Sequence, residues 1–97
     1  MKFLVYFPGI FSDVSVIEEG AIQADKLGFN GLLISDHYMW GGERTGRQEN
    51  ATPEAYIMLA HLAAKTQHVR LGTLVTPIPL RPPGILAKMI STLELLV

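Results

Sequence analysis

The stretch Ala24-Asp25-Lys26-Leu27-Gly28-Phe29-Asn30-Gly31-Leu32-Leu33-Ile34-Ser35-Asp36-His37 carries a helix end, a turn, a buried strand and a polar strand terminus in one short run. Val14, Ile17, Ala21, Ala24 and Leu27 recur at helical spacing, and Gly28 is suited to the left-handed residue that stops a helix. Gly31-Leu32-Leu33-Ile34 follows as a continuous apolar run, closed by Ser35-Asp36-His37. A strand with apolar residues on both faces belongs to a parallel sheet covered by helices rather than to a half-wet antiparallel one. The stretch therefore predicts half of a βαβ unit.

Outward from it, the same grammar repeats. Upstream, Phe3-Leu4-Val5-Tyr6-Phe7 is an apolar, aromatic run ended by Pro8-Gly9 and predicts a first buried strand. Ser15-Val16-Ile17-Glu18 matches a capping box, with Ser15 as N-cap and Glu18 reaching back, which predicts a first helix from about Val16 to Leu27. Downstream, the glycine-rich, charged residues from Gly41 to Asn50 predict a loop. Thr52-Pro53-Glu54 then opens a second helix, with Thr52 as N-cap, proline at the first helical position and an acid near the positive dipole end. Ala55, Met58, Leu59, Leu62 and Ala63 form its buried stripe. Arg70-Leu71-Gly72-Thr73-Leu74-Val75 predicts a third strand, and Thr76 to Pro83 a stiff, proline-rich loop. A third helix starts near Pro83 with Leu86, Met89, Ile90, Leu93 and Leu96 on one face.

The predicted order is β-α-β-α-β-α, an α/β fold with a parallel sheet. An open doubly wound sheet and a closed eight-stranded barrel both fit, and periodicity does not separate them. The lack of a G-x-G-x-x-G run after strand one counts against the nucleotide-binding form of the open sheet.

Composition narrows the function classes. Ninety-seven residues with 48% hydrophobic content suit one small domain, although a chain this short buries a modest share of its surface. A net charge of −1 with scattered Lys and Arg argues against a nucleic-acid partner. The chain has no cysteine, which removes disulfides, thiolate catalysis and cysteine-based zinc sites. The apolar N-terminus is broken at Pro8-Gly9, too early for a signal peptide, and no run approaches the roughly 18–20 apolar residues of a membrane helix. A cytoplasmic protein without membrane attachment is expected.

Ligands of parallel α/β folds gather at the C-terminal ends of the strands. That rule selects Phe7-Pro8, Asp36-His37 and Leu74-Val75-Thr76. His37 is placed to exchange a proton near neutral pH or to hydrogen-bond a ligand. Adjacent strand residues point to opposite faces, so Asp36 and His37 are not expected to touch. The plainer alternative stays open: Asp36 bonding loop amides while His37 caps a packed layer. His61, mid-helix, and His68, just past a helix end, are expected to be structural, and no histidine-rich metal pattern occurs. Gly41-Gly42-Glu43-Arg44-Thr45-Gly46 lacks both the preceding strand and the Gly-Lys-Ser/Thr ending of a P-loop, leaving a lid or an ordinary loop. Arg44, Arg47 and Arg81 could hold anionic groups or be solvated loop charges. Asn50-Ala51-Thr52 fits the glycosylation pattern only formally.

The run from Ala24 to His37 resembles the first helix-to-strand crossing of the luciferase-like monooxygenases, which include flavin-dependent monooxygenases and oxidoreductases using the deazaflavin coenzyme F420. The resemblance continues at Pro53-Glu54-Ala55-Tyr56 and Leu62-Ala63-Ala64-Lys65-Thr66. It is clearest from Val69 to Pro77, at Arg81-Pro82-Pro83 and at Leu86-Ala87-Lys88-Met89. It covers nearly the whole chain, Gly41 to Asn50 excepted. It implies a parallel (β/α)8 barrel of TIM type, with residues 1–97 supplying only the first three βα units. The implied activity is hydride transfer through FMN or F420, with oxygen activation where the ring is a flavin, on a small-molecule substrate and without a metal. By resemblance His37 would be the catalytic residue beside the ring, with Asp36 supporting it. Leu74, Val75 and Thr76 would also contact the cofactor, and by resemblance to the deazaflavin-using members Leu74-Val75 would be a bulge with a non-prolyl cis peptide backing one ring face.

The resemblance further implies that the chain is a truncated N-terminal segment, since a fourth strand and the later phosphate-binding loops would follow in that family. Two other readings stand beside the enzyme. One is a noncatalytic βα fragment that needs a partner, whose exposed strand edge would favour association, so an oligomer is left open. The other is an open-sheet binding domain unrelated to redox chemistry.

Overall fold

The structure is a computed structural model that describes residues 1–8, 13–37 and 53–97. Three parallel strands, β1 (Leu4–Phe7), β2 (Gly31–Ile34) and β3 (Arg70–Thr73), form a sheet in the order β1-β2-β3. They alternate with the helices α1 (Val14–Lys26), α2 (Ala55–Ala63) and α3 (Pro83–Leu96). The register is even: Leu4 pairs with Gly31 and Gly31 with Arg70, while Phe7 pairs with Ile34 and Ile34 with Thr73. The β-α-β-α-β-α order is thus the one the sequence predicts. The Gly41 to Asn50 loop, the Gly41 to Gly46 run within it and Arg44 and Arg47 lie outside the described residues.

The third helix starts at Pro83 as expected, while the first two starts differ from expectation for local reasons. The first helix is capped by Asp13, whose carboxylate accepts from the Ser15 backbone N–H at 2.9 Å. Ser15 sits inside the helix and donates its own hydroxyl to the same carboxylate, so it is not the N-cap. Glu18 is turned to His61 instead of back to the cap. The second helix is capped by Glu54, which accepts from the Ile57 N–H at 2.8 Å. It therefore begins after the Thr52 cap position that the sequence suggests, and Thr52 itself lies outside the described residues. The end of α1 follows its prediction. Gly28 has φ of 83°, its N–H donates to the Asp25 carbonyl, and the Phe29 N–H donates to the Ala24 carbonyl. These two bonds form a Schellman motif.

The core lies on one face of the sheet. Ile17, Ala21 and Ala24 of α1, Leu32 and Ile34 of β2, and Ala55, Met58, Leu59 and Leu62 of α2 are buried together. Val5, Phe7, Leu71 and, from α3, Leu86, Met89 and Leu93 pack against them. Leu32 and Leu62 are fully buried, so truncating either to alanine would cost about 2–5 kcal/mol. The opposite face presents Leu4 and Tyr6, both exposed, beside the partly buried Leu33. On that face leucines fill glycine gaps: a Cβ on Gly31 would lie 2.5 Å from Leu4, and one on Gly72 would lie 3.1 Å from Leu33.

The N-terminal ends of the strands are tied by polar side chains. Asn30 accepts the Phe3 N–H at 2.8 Å through its side chain, while its backbone bonds Phe3 and Arg70. Asp25 accepts three consecutive backbone N–H groups, those of Gln67, His68 and Val69, at 2.7–2.9 Å. These contacts hold the Asp25 carboxyl below its ordinary range, the Gln67 bond contributing most. They close the end of the sheet opposite the one expected to bind ligands.

Candidate functional site

Parallel pairing brings the C-terminal strand ends together. Ile34 pairs with Thr73, and the Leu74 N–H still donates to the Ile34 carbonyl at 2.8 Å. Regular pairing of β3 therefore ends at Thr73, short of the predicted Val75, and Leu74-Val75-Thr76 follows at the same end of the sheet as Ser35-Asp36-His37. The Leu74–Val75 peptide is cis. Both side chains are exposed, Leu74 by 44% and Val75 by 63%, an aliphatic surface at the rim of the sheet. Phe7, at the end of β1, turns into the core instead: its ring lies against Gly20 of α1.

Asp36 and His37 part company, as strand alternation predicts. His37 is exposed at the rim, whereas Asp36 is only 1% exposed. Both Asp36 carboxylate oxygens accept from Arg81, the Oδ1 contact at 2.9 Å and the Oδ2 contact shorter. Arg81 also donates to Glu54, so a single guanidinium joins the end of β2, the cap of α2 and the segment before α3. It lies 4.6 Å from the centre of the Tyr56 ring. The Asp36 bonds, opposed by burial and assisted by Glu54, raise the Arg81 pKa above its ordinary value. Arg81 is thus neither a solvated loop charge nor a spare anion hook. It is a buried cation between two carboxylates, and both Asp36 oxygens are taken up by it.

Thr76 is held in a chain of hydroxyls. Its Oγ1 lies 2.6 Å from the Tyr56 hydroxyl and 2.6 Å from Thr73 Oγ1. Tyr56 therefore touches both halves of the rim, through its ring to Arg81 and through its hydroxyl to Thr76. The sequence marked Tyr56 only as part of a family-like run, and Arg81 as part of another such run and as an optional anion contact. Their signal is register, which no local spacing carries. The other histidines lie elsewhere: His61 pairs with Glu18 across α1 and α2, and the His68 backbone N–H is bound by Asp25. The His61 bond holds the Glu18 carboxyl below its ordinary range. Among the described residues no group of three or more His, Asp or Glu could hold a metal ion, and no helix is long and apolar enough to cross a membrane.

Residues 1–97 match the model of the luciferase-like monooxygenases. The chain belongs to the luciferase-like monooxygenase family. Within it, the chain is 36% identical over 74 residues to an F420-dependent glucose-6-phosphate dehydrogenase of Kineococcus radiotolerans, an alignment covering 75% of this chain and 21% of that protein. A protein of the same name from Intrasporangium calvum is 36% identical over 73 residues, covering 74% and 21%. The luciferase-like chain thus spans about a fifth of the length of these curated relatives. Its fold is shared with the oxygenating constituent of 3,6-diketocamphane monooxygenase from Pseudomonas putida, a type II Baeyer-Villiger monooxygenase solved with FMN. That likeness has a TM-score of 0.76 at 22% identity, over 99% of this chain and 26% of that one. An F420-dependent secondary alcohol dehydrogenase solved with an F420-acetone adduct gives a TM-score of 0.74 at 24% identity, over 97% and 28%.

Proposed function

We propose that the chain supplies the first three βα units of a (β/α)8 barrel, and that its C-terminal strand ends form one side of the binding site for a flavin-type ring, FMN or F420, in an oxidoreductase acting on a small molecule. The observation that carries this reading is that exposed His37 and the exposed Leu74–Val75 turn follow two paired parallel strands and so lie at the same end of the sheet. The barrel is supported by the placement of α3, which packs on α2 and against the same core face as α1. In an open doubly wound sheet, helices cover both faces. The sheet face bearing Leu4, Tyr6 and Leu33 has the apolar, layered character of a barrel interior.

The residues present fit such a ring. Leu74 and Val75 offer flat aliphatic area of the kind a ring face covers. The His37 imidazole can donate or accept a hydrogen bond at the ring edge, and can hold or release a proton near neutral pH. Asp36 serves the site from beneath, since Arg81 takes both of its oxygens. Thr76 fixes the backbone after the turn through its hydroxyl contacts. A bound flavin or deazaflavin supplies the hydride chemistry, with oxygen activation open to the flavin alone, and the protein positions the ring and limits access.

Titration of the protein with FMN and with F420, followed by ring fluorescence, tests the reading. Saturable quenching by one of them, weakened about tenfold by His37→Ala, is the expected result, since a lost hydrogen bond of about 1.4 kcal/mol is tenfold in affinity. No saturable change with either ring would overturn it. A second reading, a noncatalytic βα segment completed by a partner, is favoured by the exposed apolar side chains of the open sheet face. It predicts that the 97-residue chain binds neither ring, while a barrel-length relative carrying the same strand ends does.

A further inference from the structure

We propose that Arg81, acting with Tyr56, is a positioning residue that locks the His37 strand end and the Leu74–Val75 turn into one rigid rim. The proposal rests on the strand-end site described above and assigns the parts that set its shape. Three observations carry it.

First, Arg81 bonds two side chains at opposite ends of the β2-to-α2 connection of the preceding βα unit. Asp36 follows β2, Glu54 caps α2, and Arg81 itself follows β3. A planar guanidinium that spans two carboxylates fixes their relative position in a way that a single point charge does not. Second, the residue it grips most fully is the immediate neighbour of His37. Asp36 is buried and held through both oxygens, so the backbone that carries His37 has little freedom where it leaves the sheet. Third, Tyr56 extends the lock to the other half of the rim. Its ring packs under the guanidinium and its hydroxyl meets Thr76, the residue next to the cis peptide. Thr76 in turn meets Thr73, the last paired residue of β3.

A purely structural role for this cluster would be to stabilise the sheet as a whole, and loss of any member would then loosen every part alike. The positioning role makes a local claim. Arg81 controls both halves of the rim, Tyr56 through its hydroxyl controls the turn alone, and neither reaches His61 or His68.

The test uses the 97-residue chain without cofactor. NMR reads the imidazole chemical shifts of the three histidines and the amide exchange of residues 74–76 in the parent, Arg81→Lys and Tyr56→Phe. Arg81→Lys keeps the charge and removes the two-carboxylate fork. It is expected to shift the His37 resonances and to raise exchange at Leu74–Thr76 about tenfold, with His61 and His68 unmoved. Tyr56→Phe keeps the ring and is expected to raise exchange at Thr76 while leaving His37 in place. If the folded Arg81→Lys protein keeps the parent His37 resonances, or if all three histidines shift together, the proposal fails. Should Arg81→Lys not fold, unchanged exchange at residues 74–76 in Tyr56→Phe overturns it, and a selective rise there supports it. Failure of the parent to bind FMN or F420 would count against the function proposed above and leave this result standing.

Discussion

At the scale of single residues, the structure separates buried groups that hold the fold from groups exposed at the strand ends. Arg81→Ala would leave Asp36 buried without its cation, and breaking a buried pair in this way costs about 3–5 kcal/mol. Urea denaturation should therefore show Arg81→Ala largely unfolded under conditions where the parent is folded, because that loss approaches the whole stability of a small domain. Asp25 yields a pH prediction. Its folded-state pKa is lowered, chiefly by the Gln67 N–H and then by those of Val69 and His68, so its contribution is fully present above the unfolded value of about 3.9. The contribution is lost as the pH falls below that value toward the lowered folded pKa. Asp25→Asn should accordingly flatten the acid limb of a plot of urea midpoint against pH, and an unaltered limb would refute the assignment. The Asp36-His37 pair was legible in the sequence as a strand terminus with chemistry. The partner of Asp36 was not, because Arg81 lies 45 residues away and the contact exists only once β2 and β3 are in register.

At the scale of elements, periodicity placed all three strands and all three helices, and capping chemistry misplaced two helix starts. Ser15 has the right residue type for a cap, but Asp13 lies two residues earlier and binds both the Ser15 N–H and its hydroxyl. Glu54 is a less common cap than Thr52, yet its longer side chain reaches the Ile57 N–H and still offers an oxygen to Arg81. That double duty joins the start of α2 to the candidate site, and no local motif encodes it. Element packing also explains a glycine in the middle of α1. A Cβ on Gly20 would sit 2.2 Å from Phe7 Cζ, inside the space where β1 packs on α1. Gly20→Ala gains about 1 kcal/mol of helix propensity but forces the ring aside, at a cost of about 1–3 kcal/mol. The net effect expected is destabilisation, seen as a lower urea midpoint. Gly20→Ala combined with Phe7→Leu should recover part of the loss, and a more stable single variant would show that the ring has room to move.

At the scale of the whole molecule, the covered and uncovered faces of the sheet differ in kind. The helix side is closed by residues of α1, α2 and α3. The other side presents Leu4 at 58% and Tyr6 at 41% exposure, and α3 carries Leu95 and Leu96 at 87% and 61%. The sequence made this visible only in part: apolar residues on both strand faces announced a sheet covered twice, whereas the described helices cover one face. In the barrel proposed above this face lines the interior, whereas in the partner-completed reading another molecule covers it, and the behaviour of the 97-residue chain in solution bears on both. Exposed apolar side chains favour association, and an unpaired strand edge adds backbone groups that another strand can bond. The chain should therefore associate as its concentration rises, with sedimentation velocity showing a growing average mass. Tyr6→Lys places a charge on the open face without touching the helix-side core and should shift that equilibrium toward monomer, whereas Lys88→Gln on α3 should leave it unchanged. If Tyr6→Lys associates as readily as the parent, contacts involving the α3 surface rather than the open sheet face drive the process. A parent that stays monomeric across the whole range would mean that its apolar surface is covered in solution by a rearrangement of this same fold.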